Sequence, residues 1–100
     1  MIGDAMEFSV GQLVISKAGR DKGDVFVVYS INGEYLYLVN GSSRPLDNPK
    51  KKKIKHIQPT KTVDGALYEL IMAKQYMKDA DFRAAIKNFM ERKREDFSHG

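Results

Sequence analysis

At Pro59 the hydrophobic pattern of this chain changes period, and that change decides what each part can become. Before it, the apolar residues come in short runs rich in β-branched and aromatic side chains. Leu13 to Ile15 follow Gly11, Val25 to Ile31 follow Gly23, Tyr35 to Val39 follow Asn32-Gly33, and Ile54 and Ile57 close the set. Each run has strand length and is bounded by Gly, Asn, Asp or Pro. Asn32-Gly33 predicts a type I′ hairpin turn, which needs positive φ at both central residues, so strands two and three are expected to be antiparallel neighbours. Short strands in so small a unit leave two edges exposed unless the sheet curls shut. Closure into a small barrel is therefore expected, and an SH3-like barrel fits the strand count.

After Pro59 the residues are helix formers, and no Gly or Pro interrupts Ala66 to His99. Thr62 is placed to cap a first helix carrying Val63, Leu67, Leu70, Ile71 and Met77 at helical spacing, and the pattern repeats in Phe82, Ala85, Ile86, Phe89 and Met90. Between them, Asp79 or Asp81 offers a new cap, which predicts a helix, a turn and a second helix in preference to one continuous helix. The apolar stripe reads as the interior of a helical hairpin packed on itself or on the barrel. Its alternative use is a partner or dimer surface, with Met72, Met77 and Met90 as adaptable contacts. The expected fold class is α+β, mainly β: a barrel over residues 1–61, followed by a helical pair over residues 62–100.

One hundred residues are enough for one modest core and leave little room for an enclosed substrate cavity, which favours a surface-binding module over an enzyme. Cysteine is absent, so disulfides and thiolate metal sites are excluded, and a reducing, cytoplasmic setting is expected. The opening Met1 to Glu7 has no basic region followed by an apolar stretch, and no segment reaches the ~20 apolar residues that span a bilayer. Neither secretion nor membrane insertion is expected.

The net charge of +4 is a mild bias, but its distribution is uneven. Residues 1–61 hold ten Lys and Arg against six Asp and Glu, whereas residues 62–100 hold seven of each. Within residues 44–61, Arg44, Lys50, Lys51, Lys52, Lys53, Lys55 and Lys61 face only Asp47. An anionic polymer would recognise such a surplus. The bland reading of four consecutive lysines is a solvated loop that keeps an edge strand from aggregating. A lipid surface is disfavoured because the run has no hydrophobic anchor.

A second basic element lies between the first two strands. Lys17-Ala18-Gly19-Arg20-Asp21-Lys22-Gly23 combines two glycines four apart, which let the backbone curl, with cations at the loop tip, an arrangement suited to phosphate contacts. With the strands on either side, Val14 to Val28 resembles the KOW motif of ribosomal proteins and transcription elongation factors, in which a Gly-x-x-Lys-Gly loop joins two strands. The likeness continues through Gln12-Leu13-Val14, Leu38-Val39-Asn40-Gly41, Arg44-Pro45-Leu46 and Ile54 to Thr60. Over roughly residues 8–61 the chain resembles an archaeal and eukaryotic family of large-subunit ribosomal proteins, and more closely the small bacterial KOW-domain RNA-binding proteins similar to it. The chain departs from many KOW motifs at Phe26, where another glycine is common. The resemblance implies binding of structured RNA, usually ribosomal, in translation or ribosome assembly, and nominates Lys17, Arg20, Lys22 and Gly23. Charge alone adds Arg44, Lys50, Lys51, Lys52, Lys53 and Lys55. The alternative function is a protein adaptor that uses the helices, with the barrel as scaffold.

Other residues carry weaker signals. Tyr29, Tyr35 and Tyr37 could stack on unpaired bases, but alternating tyrosines more often pack one face of a sheet with the hydroxyl at the rim. Phe26 is expected in the core. His56 is expected in the last strand, flanking the core, and with His99 far away in sequence it makes no metal site. No nucleophile, base and orienter fall into a catalytic pattern, so neither enzyme activity nor a cofactor is expected.

Overall fold

The computed structural model describes residues 8–99, with side chains as far as residue 94; Met1 to Glu7, where the absence of a secretion signal was read, lie outside the described residues. Five strands form one antiparallel sheet: β1 (Gln12–Ser16), β2 (Val25–Asn32), β3 (Tyr35–Val39), β4 (Lys50–Lys53) and β5 (Ile57–Val63). Two helices follow, α1 (Gly65–Met72) and α2 (Asp79–His99). The strand order is β4-β3-β2-β1-β5, so the last strand returns to pair with the first. A one-turn 3-10 helix, Ile54–His56, carries the chain from β4 to β5. Its first N–H bonds to Glu34 O across the hairpin, and no ladder links β4 with β5 among the described residues. The sheet is therefore open at that seam, where the expected barrel would have closed.

The β2–β3 hairpin forms as expected, with a different turn. Asn32 pairs with Tyr35 as a strand residue, so the turn is centred on Gly33 and Glu34, and only Gly33 has positive φ, at 62°. Glycine at the first central position is what a type II′ turn requires, and it removes the need for a second positive φ. His56 falls in the 3-10 turn rather than in the last strand, where its carbonyl accepts from Lys17 N–H at 2.8 Å.

Both faces of the sheet are covered, because side chains alternate across a strand and β2 is apolar at consecutive positions. On one face Val14, Phe26, Val28, Leu36 and Leu38 enclose an interior with Phe8, Ile54 and Ile57. On the other, Leu13, Val27 and Val39 pack against Leu67, Phe82, Ala85 and Phe89 of the helices. Phe26 is core as expected, Tyr29 follows Val25 and Val27 on the helix-covered face and meets Phe82 edge-on at 6.2 Å, and a bulge between Val28 and Ser30 puts Ile31 on the face of Val28. The helical stripe thus packs chiefly on the sheet and joins residues 62–99 to its core.

The helix boundaries differ from those expected at two places. Thr62 belongs to β5, whose pairing with β1 extends to Val63 opposite Gln12, so the cap of α1 moves to Asp64, whose carboxylate accepts from Leu67 N–H at 3.0 Å. Met77 lies in the connector beyond the end of α1. That helix ends without a glycine. Lys74 takes the left-handed conformation, φ 55°, and Lys74 N–H and Gln75 N–H bond back to Ile71 O and Leu70 O, the pattern of a Schellman cap. A side chain is strained at this position, so Lys74→Gly should stabilise the protein by ~0.5–1 kcal/mol in a denaturant titration; a loss of stability would contradict the cap. At the start of α2, Asp81 accepts from Lys78 N–H at 2.8 Å, while Asp79 accepts instead from Leu46 N–H at 2.7 Å. Neither aspartate is the N-cap residue expected: Asp81 is the third residue of α2 and accepts back from the residue before the helix, the N3 half of a capping box, and Asp79 ties α2 to the β3–β4 loop.

Candidate nucleic-acid interface

The lysine run forms the edge strand β4, paired with β3 from Leu38 opposite Lys50 to Tyr35 opposite Lys53. Lysine is a poor strand former, and the position at a sheet edge is what makes it suitable, since charge blocks pairing with another chain. Strand alternation then splits the four cations. Lys50 and Lys52 lie on the side of Leu36 and Leu38 and converge on Asp21, whereas Lys51 and Lys53 lie on the side of Tyr35.

Lys52 is the most committed of the four. Its ammonium donates to Asp21 Oδ1 at 2.5 Å, Ala18 O at 2.6 Å and Ser16 Oγ at 2.7 Å, and its side chain is only 9% exposed. Lys50 adds a contact to Asp21 Oδ2 at 3.1 Å, and Ser16 Oγ donates to Asp21 Oδ1 at 2.7 Å. Burial opposes the charged form of Asp21, but hydrogen bonds from Lys52, Ser16 and Lys50, with the Lys52 charge, outweigh it and hold the carboxyl well below the usual carboxylate range. Lys52 and Lys50 are thus fasteners of the 17–24 loop rather than open cations.

The fastened loop holds Lys17, Arg20, Lys22 and Gly23 at the surface, all exposed. Gly19 O accepts from Lys22 N–H at 3.2 Å, and Ser16 O accepts from Gly23 N–H at 2.9 Å. Lys17 shares a cleft of about 280 Å³ with Lys55 on the 3-10 turn, so two nominated cations far apart in sequence meet at one end of the sheet. On the opposite side of β4, the ammonium of exposed Lys51 stands 4.4 Å from the Tyr35 ring centre, and that of Lys53 stands 5.9 Å away. Tyr35 is therefore a support for cations, Tyr29 is a packing residue against Phe82, and Tyr37 is half-buried.

Arg44 belongs to a separate group. The 40–44 turn is closed by Asn40 Oδ1, which accepts from Ser42 N–H and Arg44 N–H at 2.9 Å each. α2 holds this turn from outside, because Arg83 Nη1 donates to Gly41 O at 2.6 Å. Gly41 has φ 78°, and a Cβ there would run into the Asp79 carbonyl, so only glycine allows the close approach. Two cations absent from the sequence reading emerge here. Arg83 and Lys87 lie four residues apart on one face of α2 and line a groove with Gly23 and Asn40. Their helical spacing was readable, but acidic residues elsewhere in 62–100 cancelled them in the charge count.

No helix among the described residues is long and apolar enough to cross a membrane. Compared with models of known protein families and with curated protein sequences, the chain matches none.

Proposed function

We propose that this chain is a cytoplasmic RNA-binding protein of the KOW type, acting on ribosomal RNA in translation or ribosome assembly, and that its sheet is an SH3-like arrangement wrapped around one apolar interior. The pairing of last strand with first, the 3-10 turn before β5 and the position of the glycine-rich loop between β1 and β2 support the fold reading. The observation that carries the function is the fastened loop. Lys52 and Asp21 fix its backbone from beneath while Lys17, Arg20 and Lys22 remain exposed, so cations are presented with little entropy left to lose on binding. Lys51, Lys53 and Lys55 extend the basic surface, and Lys50 and Lys52 serve it indirectly. Contacts of this kind neutralise phosphates and read shape. The adaptor reading is left with less of its stripe, because Leu67, Phe82 and Phe89 are buried against the sheet, while Met72 and Met90 remain exposed.

The test is the Lys17→Ala, Arg20→Ala, Lys22→Ala variant of the full chain, titrated with a structured ribosomal RNA fragment. Each lost phosphate contact lowers the log-log salt slope by about 0.7–0.9, so the triple variant should lose ~2–3 units while its melting temperature stays put. Equal affinity and slope for variant and wild type would remove the loop from the site.

A further inference from the structure

The groove between the loop and α2 gives the C-terminal helix a part in binding. We infer that α2 carries a second half of the RNA surface, in which this groove seats one unpaired nucleotide; the inference rests on the RNA-binding reading above. The groove has a volume of about 550 Å³, within the range of ~300–1,000 Å³ typical of small-molecule pockets. Its floor is apolar, formed by half-buried Val25 and Ile86 with Met90, which is 46% exposed. A flat base can lie on such a floor, and the thioether of a methionine makes favourable contacts with aromatic rings.

The wall is cationic. Lys87 is exposed one turn beyond Arg83, and Arg83 spends one donor on Gly41 O from a guanidinium that has five. On the facing wall Gly23 has open space where a side chain would stand, and Lys22 immediately precedes it, so a strand leaving the loop runs directly into the groove. Asp24 is the acidic residue lining this site. It repels phosphate, which directs the backbone along Lys87 and leaves the carboxylate to accept from base amino groups. Stacking on this floor needs a free base face, which a continuous duplex does not offer, so the ligand class is RNA with a bulged or looped-out nucleotide.

The experiment uses the full chain and a hairpin RNA with an unpaired loop containing 4-thiouridine, beside a fully paired duplex of equal length. Lys87→Glu should weaken hairpin binding by about tenfold and lower the salt slope by about one, whereas Asp24→Asn should tighten it. Lys74→Glu, the same charge change outside the groove, should have less than about a third of the Lys87→Glu effect. Ultraviolet crosslinks from the thiouridine should map to the segment holding Ile86 and Met90. Crosslinks confined to the 17–24 loop, or a Lys87→Glu variant that binds like wild type, would overturn the inference while leaving the RNA reading intact. Absence of salt-dependent RNA binding by the wild type would overturn both.

Discussion

Asp21→Ala should destabilise the protein by ~3 kcal/mol or more in a chemical denaturation at neutral pH, an effect of core magnitude from a residue in a surface loop. The reason is what the substitution leaves behind. The Lys52 side chain is 9% exposed and that of Asp21 12% exposed, so removing the carboxylate strands an ammonium in a place with little water. Ser16 Oγ and Lys50 lose an acceptor as well. Breaking a buried pair from one side costs more than the pair contributes, and replacing both partners by apolar groups recovers much of the loss. Asp21→Ala with Lys52→Met should therefore be more stable than Asp21→Ala alone. A single variant within 0.5 kcal/mol of wild type would show that the fastening is weak.

The pH dependence has a fixed sign. The Asp21 carboxyl is held below its ordinary value of 3.8, so its stabilisation is complete above that pH and is lost as pH falls below it toward the folded value. The acid limb of the stability curve should flatten in Asp21→Ala. An unchanged slope below pH 4 would contradict the assignment.

Phe82→Ala should cost ~3–5 kcal/mol, the range for deleting a fully buried aromatic side chain. Phe82 stands between α2 and the sheet, in one cluster with Leu13, Val27 and Val39 from β1, β2 and β3, and it meets the Tyr29 ring edge-on. The cavity would open between the part read as barrel and the part read as helical pair. Because the two share this core, helix and sheet signals should be lost together in one transition at lower denaturant. Separate transitions, with the sheet keeping wild-type stability, would mean that the helices are an independent appendage.

Much of the strand pattern was legible because glycine, asparagine and proline punctuate it and β-branched residues fill the gaps. What escaped notice depended on partners distant in sequence. β4 was hidden because four lysines have no strand signal of their own, and their strand is imposed by pairing with Tyr35 to Leu38. Asp21 lay in plain view within the basic loop, but the cation that gives it a role is 31 residues away. A break between the helices was expected from Asp79 and Asp81, but not its early position before Met77, because the chain turns at a lysine in a conformation usually given to glycine. The unbroken apolar runs Leu13 to Ile15, Val25 to Val28 and Leu38-Val39 were the sign in the sequence that both faces of the sheet are covered.

The candidate site was legible as a set of cations and not as an arrangement. Lys17, Arg20 and Lys22 are placed as the glycine spacing implies, while the lysine run divides into two residues that fasten the loop and two that stand beside Tyr35. Counting charge could not show that Lys50 and Lys52 turn onto Asp21, and averaging charge over 62–100 concealed that Arg83 and Lys87 share a face. The cause is the same in both: charge counts ignore which face of an element a residue occupies.

RNA binding by the preorganised basic loop through phosphate contacts is tested by the equilibrium affinity of the wild-type chain for structured ribosomal RNA across a range of salt concentrations. The log-log plot should fall steeply, by about 0.7–0.9 for each of several phosphates neutralised. An affinity that barely changes between low and high salt, or no binding at low salt, would contradict it.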